Sequence, residues 1–258
     1  MPGTHPTAIV AADARIASGV EIGAYSVIGA EVTIGEGTVV GPHVVIAART
    51  AIGRNNRIFQ FASVGEIPQD RKYDGHPTCT VIGDDNVIRE FVTIHAGTAQ
   101  DRGETTIGNG NWLLAYSHIA HDCVVGNGTT FSNNAQLAGH VIVEDFASLG
   151  GFVGVHQFCR IGAYAFIAAG SIVLQDVPPY VTVAGYPAKP HGTNSEGLRR
   201  RGFASDDLVA IKRAYKTLYR SELSLDAART RIAADAKSAG VLAPLAAFLE
   251  TAGRGIVR

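Results

Sequence analysis

The sequence predicts a mainly β fold. Residues 1–190 read as a solenoid of short strands with inserted loops near 65–79 and 96–106, and residues 191–258 as a C-terminal α-helical domain. Three observations carry this. Val or Ile recurs every six residues from Val10 through Ile16, Ile22 and onward to Val64. A small residue, often one of the chain's 30 glycines, follows most of these positions. Beyond Gln175–Tyr180 the six-residue period gives way to apolar residues at helical spacing. A period of six matches neither a helix nor a simple alternating strand. It matches a short strand plus a turn, with three such units, 18 residues, closing one triangular coil.

In the first run the periodic aliphatic residue fills the inside of the prism. The Gly or Ala after it permits a corner where a Cβ would crowd. A second inward position lies two residues earlier and holds Val20, Ser26, Val32, Thr38, Val44, Cys123 and Cys159. The frame returns at Ile82, Ile88 and Ile94, slips by one residue, and runs from Ile107 to Val173. The interruptions Gly65–Cys79 and Ala96–Thr106 are polar and turn-rich. Such insertions project from one face of a solenoid, either as binding loops or as tolerated decoration. Pro178 and Pro179 end the strand pattern, and Gly185–Pro190 reads as a linker. Ser205 reads as an N-cap with Asp206 and Asp207 in the first turn, followed by Leu208, Ile211, Tyr215 and Leu218 at helical spacing. Ser224 reads as the cap of a second helix, with Leu225 and Ile232 on its buried side, and Pro244 as the start of a third.

Composition removes several classes of function. With 46% hydrophobic residues the chain is not intrinsically disordered. A net charge of −1 gives no general attraction to nucleic acid or anionic membranes. No apolar run approaches the ~20 residues of a transmembrane helix. Met1–Gly19 has no basic start or apolar core, so no signal peptide and a cytoplasmic location are expected. Three scattered cysteines make no disulfide framework and fit a reducing compartment. The charge is unevenly divided, −7 over residues 1–188 and +6 over 189–258. A basic tail suits an acidic partner, although solvated helix faces also account for such charges. Three adjacent guanidiniums, Arg199–Arg201, suit phosphate.

The 18-residue coil also organises the polar residues. His121, Gly139 and Gln157 are spaced 18 apart and should stack on successive coils at ~4.8 Å per step. Asp122 and His140 stack in the same way, with His118 and His156 beside them. This polar column reads as a site or as a polar seam between subunits. As a site, a neutral His121 takes a proton from a hydroxyl attacking a carbonyl, and Asp122 holds the ring tautomer. The Gly139 N–H donates to the developing oxyanion. A thioester substrate needs no protein nucleophile, and Cys123 and Cys159 read as packing residues. Two other readings stand beside this one, a zinc site built on His118 and His121 and a non-catalytic solenoid.

The frame resembles the hexapeptide-repeat family, whose left-handed parallel β-helix departs from the right-handed crossover rule. That resemblance implies a homotrimer. Several segments, SHIAHDC (117–123), NNAQLAGH (133–140), VHQFCRIG (155–162), QDVPPYV (175–181), EGLRRRGF (196–203) and the final GIVR, together resemble the UDP-N-acetylglucosamine O-acyltransferase family over essentially the whole chain. The resemblance implies transfer of an (R)-3-hydroxyacyl chain from acyl carrier protein to the 3-position of UDP-N-acetylglucosamine, the first step of lipid A biosynthesis, without cofactor or metal. It implies His121 as general base, Asp122 as its support and Gly139 as the oxyanion donor. His118, His140, His156 and Gln157 would line the sugar and acyl groove, and Asp70 and Lys72 would reach the nucleotide sugar from a neighbouring subunit. Asn194, Glu196, Arg200 and Arg201 match uridine- or phosphate-binding positions. The acidic carrier protein would dock on the basic C-terminal region. The acyl chain would pass Ala168 and Ala169, where family members often have Gly-Gly, which points to a shorter chain. Related zinc hydratases use a His pair five apart, whereas His118 and His121 are three apart.

Overall fold

The computed structural model describes residues 3–252 and 255–258. Met1–Pro2, from the stretch read for a signal peptide, and Gly253–Arg254, which includes one tail cation, lie outside the described residues. The chain winds as a left-handed parallel β-helix with three sheets of nine, eight and ten strands. The nine-stranded sheet runs from Ile9–Val10 to Ile172–Val173, the eight-stranded from Arg15–Ile16 to Arg160–Ile161. The ten-stranded sheet runs from Glu21–Ile22 to Lys189–Thr193. Val27 pairs with Val45 and Ile28 with Ile46, the 18-residue register of the repeat. Ile28, Ile46, Ile94 and Ile119 are buried, as are Val20, Ser26 and Cys123 at the second inward position.

The glycines after the inward aliphatics meet the crowding expected there, although they do not make the turn itself. A Cβ on Gly23 would lie 2.5 Å from the Pro42 nitrogen of the next coil, so close stacking excludes it. The left-handed turn itself falls two residues later, on Tyr25 (φ 58°), His43 (56°) and Phe61 (63°). Such a backbone costs a side chain ~1 kcal/mol. It is offset by a bond to the preceding coil, as from the His43 N–H to the Ala24 carbonyl at 2.9 Å. Ring stacking adds to this: Tyr25, His43, Phe61, Phe91 and Tyr116 form one ladder.

The insertions obey a simple count. Val64 pairs with Ile94, 30 residues on, so a full coil plus two hexads keeps the phase. Ile94 pairs with Ile119, 25 residues on, so a coil plus seven produces the one-residue slip. The loops are shorter than the sequence suggests, because Gly65, Glu66 and Cys79 lie in the strands Ser63–Glu66 and Cys79–Ile82, and Glu104–Thr106 in Glu104–Ile107. Both loops leave at the corner between the nine- and eight-stranded sheets.

At the far end Pro178–Pro179 does not stop the prism. Val181–Ala184 adds a further parallel strand, Phe166 opposite Thr182. The expected linker Gly185–Pro190 is instead a hairpin, since Lys189–Thr193 turns back antiparallel with Val181 opposite Thr193. Residue 190 therefore sits inside a strand. A short helix, α1 (Ser195–Arg200), follows, then α2 (Ser205–Tyr219), α3 (Leu225–Ala236) and α4 (Ala243–Thr251). Ala204, not Ser205, occupies the N-cap of α2, and it makes no side-chain cap bond. Ser224 caps α3 by accepting from the Ala227 N–H at 3.2 Å, and Pro244 stands in the first turn of α4. Ile211, Ala214, Tyr215 and Leu218 form the buried face of α2. Among the described residues no helix is long and apolar enough to cross a membrane.

Candidate functional site

The strand His118–Ile119 ends at the corner that carries both insertions, and His121–Asp122 form the turn. Asp122 takes the left-handed position, φ 58°, as exposed Tyr25 and Phe61 do on other coils, and its side chain is buried because the inserted loop, through Thr98, covers it. Its carboxylate is buried and fully engaged. Oδ1 accepts from the Thr98 N–H at 2.9 Å, and Oδ2 accepts from the Thr98 hydroxyl at 2.7 Å. The Asp122 N–H in turn donates to Thr105 Oγ1 at 2.8 Å. Oδ2 also meets His121 Nδ1 at 2.9 Å. An ionised carboxylate only accepts, so Nδ1 carries the proton and Nε2 is left free to take one.

The His121 ring lies over Gly139: a Cβ there would be 2.5 Å from Cε1 and 2.7 Å from Nε2. Among the described residues the Gly139 N–H makes no backbone hydrogen bond. His140 packs edge-on against His121, centroids 4.9 Å apart, and stacks on Phe158 at 4.3 Å. Its Nδ1 meets Asp101 Oδ2 at 2.6 Å. His118 Nδ1 meets the Thr93 hydroxyl at 2.7 Å. Burial, helped by His95 and His121, pushes the His118 pKa down to about 4, so this ring is neutral at pH 7. His156 donates from Nδ1 to the Gln157 carbonyl at 3.2 Å, leaving Nε2 as an acceptor.

A cleft of about 530 Å³ on the nine-stranded face is bordered by His118, His121, Gly139, His156, Gln157 and Leu174, whereas Asp122 and His140, the latter expected in the groove, do not border it. A second cavity, about 450 Å³, lies on the ten-stranded face beside Ser148 and Phe166 and includes Asn194, Glu196 and Arg200. One chain does not bring the two together. Asn194 also caps α1, accepting from the Gly197 N–H at 3.2 Å, and Glu196 pairs with Arg199. Arg201 stays out of the cavity, with its guanidinium 4.3 Å from the Phe146 ring centroid and Nη2 donating to the Gly128 carbonyl. Asp70 and Lys72 do not border the histidine cleft, although Gln69 of the same loop does. Ala168 and Ala169 lie at the opposite edge of the nine-stranded face, outside that cleft.

Sequence reasoning missed Thr93, His95, Thr98, Asp101 and Thr105. His95 is buried, its ring is edge-on to His118, and its Nδ1 has no partner among the described residues. The ligand atoms of His121, Asp122 and His140 lie within 4.8 Å of one another. Of the pair expected for zinc, His121 belongs to that group and His118 does not. Cys123 is pushed up to about 12 by burial, and burial beside Glu104 also raises Cys79, so neither thiol is a ready nucleophile.

Residues 13–48 and 104–139 match the model of the bacterial transferase hexapeptide, and residues 176–257 match domain 2 of UDP N-acetylglucosamine O-acyltransferase. A protein of Thiobacillus denitrificans called acyl-[acyl-carrier-protein]–UDP-N-acetylglucosamine O-acyltransferase is 60% identical over 258 residues, 100% of both chains. A protein of the same name from Herminiimonas arsenicoxydans is 58% identical over 98% of both. The solved UDP-N-acetylglucosamine acyltransferase of Francisella novicida superposes with a TM-score of 0.97 at 46% identity, over 99% of this chain and 94% of that one.

Proposed function

The chain belongs to the acyl-[acyl-carrier-protein]–UDP-N-acetylglucosamine O-acyltransferase family and is an acyltransferase of the first step of lipid A biosynthesis, and from this premise we propose its chemistry. His121 acts as the general base in transferring an (R)-3-hydroxyacyl group from the acyl carrier protein thioester to the 3-hydroxyl of UDP-N-acetylglucosamine. The observation that carries this is the 2.9 Å contact between His121 Nδ1 and a buried, fully engaged Asp122, which leaves Nε2 as the basic atom.

Nε2 takes the hydroxyl proton as the sugar oxygen attacks the thioester carbon. The carbonyl oxygen becomes an oxyanion, to which the unpaired Gly139 N–H donates. The imidazolium is stabilised by Asp122 until the tetrahedral intermediate collapses. The C–S bond then breaks and Nε2 returns the proton to the departing thiolate. His118, neutral at pH 7, adds no positive charge that would depress the base.

The separation of the two cavities favours a homotrimer. A nucleotide sugar cannot touch Arg200 on one face and His121 on another face of the same prism. In a ring of three prisms, the ten-stranded face of one subunit can meet the nine-stranded face of the next. Asp70 and Lys72 would then reach the sugar of a neighbour. Arg200 would serve the uridine or phosphate end with Asn194 and Glu196. The acyl chain would run past Ala168 and Ala169 with a shortened groove, and an acidic carrier would dock on the basic tail.

His121→Ala tests the assignment. Loss of a general base should lower kcat about 10²–10⁴-fold with the fold intact. A variant with near wild-type transfer would refute it. Mass spectrometry of products from a mixed pool of 3-hydroxyacyl carriers, supplied with both the 3-hydroxy and the 3-amino sugar nucleotide, reads chain length and acceptor together.

A further inference from the structure

We propose that the cavity at the C-terminal end of α2 is a binding site for a phosphate ester. About 300 Å³ in volume, it lies between Lys189, the last turn of α2 and the C-terminal Arg258. Its rim holds three cationic side chains, Lys189, Arg220 and Arg258, and no carboxylate side chain. None of the ion pairs among the described residues involves any of the three. Like charges gathered around one concavity repel each other, and an anion in their midst relieves that repulsion.

Unmet polar groups also lie just behind the wall. Tyr215 is 8% exposed, and its hydroxyl and that of Tyr219 are buried with no hydrogen-bond partner among the described residues. Buried hydroxyls nearly always have one. Burial raises the Tyr219 pKa, so that hydroxyl keeps its proton and remains a donor.

The competing explanation is that the cations merely cap the negative end of α2. The end carbonyls are already taken. The Arg220 N–H donates to the Lys216 carbonyl at 2.8 Å, the Ser221 hydroxyl to Thr217 at 2.5 Å and Arg258 Nη2 to Leu218 at 3.0 Å. A helix end carries about half a unit of negative charge, against three full positive charges here. Two guanidinium forks suit the oxygens of a phosphate. Pro190, Leu218 and the tyrosine rings supply an apolar wall, which suits an ester better than a bare ion.

Position indicates a source. Ala188, next to Lys189, donates its N–H to the Ile172 carbonyl at 2.8 Å, and Ile172 borders the histidine cleft. Ile172 stacks above Gly154, Gln136 and His118 in turn. Those three rungs span roughly 14 Å of prism at ~4.8 Å each. A thioester donor reaching His121 on an extended phosphopantetheine arm would leave its phosphodiester at this end, an assignment that rests on the proposed carrier-bound donor. Free phosphate offers the same chemistry to the same cations.

Calorimetry of the full chain with pantetheine 4′-phosphate and, separately, inorganic phosphate tests the site, with unphosphorylated pantetheine as control. Saturable binding of either phosphate, weakened about tenfold by Arg220→Gln or Lys189→Gln and reduced by added KCl, supports it. Both side chains are exposed, so these variants fold, whereas Arg258→Gln would also free the Leu218 carbonyl. Tighter binding of the ester, with a raised KM for the acyl carrier and an unchanged KM for UDP-N-acetylglucosamine, assigns the site to the donor arm. Binding of inorganic phosphate alone, with donor KM unchanged, assigns it to free phosphate. No saturable binding of either, or equal binding by the variants, overturns the proposal. Calorimetry needs no turnover, so failure of acyl transfer by the wild-type enzyme would refute the functional reading and leave this result standing.

Discussion

Gly139→Ala separates the position of the base from its identity. The added Cβ would stand 2.5 Å from His121 Cε1, 2.7 Å from Nε2 and 3.1 Å from Nδ1. Carbon atoms in contact sit about 3.5–4.0 Å apart, so the ring must retreat by roughly 1 Å. It cannot do so freely, because Nδ1 is held by Asp122 at 2.9 Å and His140 packs edge-on against the ring. Gly139 is not in the left-handed region, so alanine brings no backbone strain, and its three nearest contacts are all atoms of the His121 ring. The N–H at 139 is retained as well, so oxyanion donation is not deleted. A 1 Å misplacement of a reacting group costs about 10²-fold in rate, or ~2.7 kcal/mol of transition-state stabilisation. Steady-state kinetics should therefore show kcat/KM reduced about a hundredfold while Tm stays near that of the wild type. A variant whose kcat/KM remained within threefold would show that ring placement over Gly139 does not matter to the reaction.

Three further outcomes can be checked independently. Thr98→Val deletes the 2.7 Å bond to Asp122 Oδ2 and should lower kcat about tenfold with little change in KM for the nucleotide sugar. Thr98→Ser should restore it, and full activity in the valine variant would mean that the loop does not orient the carboxylate. The His118 pKa of about 4 lies below the ~6.5 of an unfolded histidine, so the unfolded state binds more protons between these values. Stability should fall as pH drops through that window, by ~3 kcal/mol in all from this ring, and His118→Gln should flatten the fall in urea melts at pH 7 and 4.5. Equal mixtures of His121→Ala and Arg200→Ala chains, unfolded and refolded together, should recover about a quarter of wild-type activity if each site joins two subunits. No recovery beyond the separate variants would refute the shared site.

The prism was legible because its rule is short. An aliphatic every six residues sets which face is inside, and nothing in the tertiary structure needs to override it. The corners were less legible. Left-handed backbone normally advertises itself through Gly or Asn, but here Tyr25, His43, Phe61 and Asp122 adopt it, supported by bonds to the coil before and, for the rings, by stacking. The hairpin after Pro179 was hidden for a related reason. Lys189–Thr193 has no strand composition and is held in place by pairing with Val181–Ala184. At the site, the residues on the 18-residue column, His121, Gly139 and Gln157, fall beside one cleft. Arg201 was grouped with Arg200 by adjacency and by the family resemblance, yet here it packs on Phe146, away from the cavity that Arg200 borders.

The residues that orient the base escaped detection because they lie in or beside the segment that makes the phase slip. Above the slip, partners on neighbouring coils are 18 apart; across it they are 25 apart, as in Thr93 beside His118. Counting 18 back from His121 therefore leads to Gly103 in the loop, not to the strand that packs beneath it. The two insertions also differ in kind. Twelve residues, two hexads, enter the solenoid without disturbing any later coil. The seven residues of the second insertion shift the numbering of every later coil by one, while the six-residue spacing from Ile107 onward is unchanged. It is that loop which carries Thr98 to Asp122 and Asp101 to His140, so the irregularity in the period points at the residues the period itself could not reach.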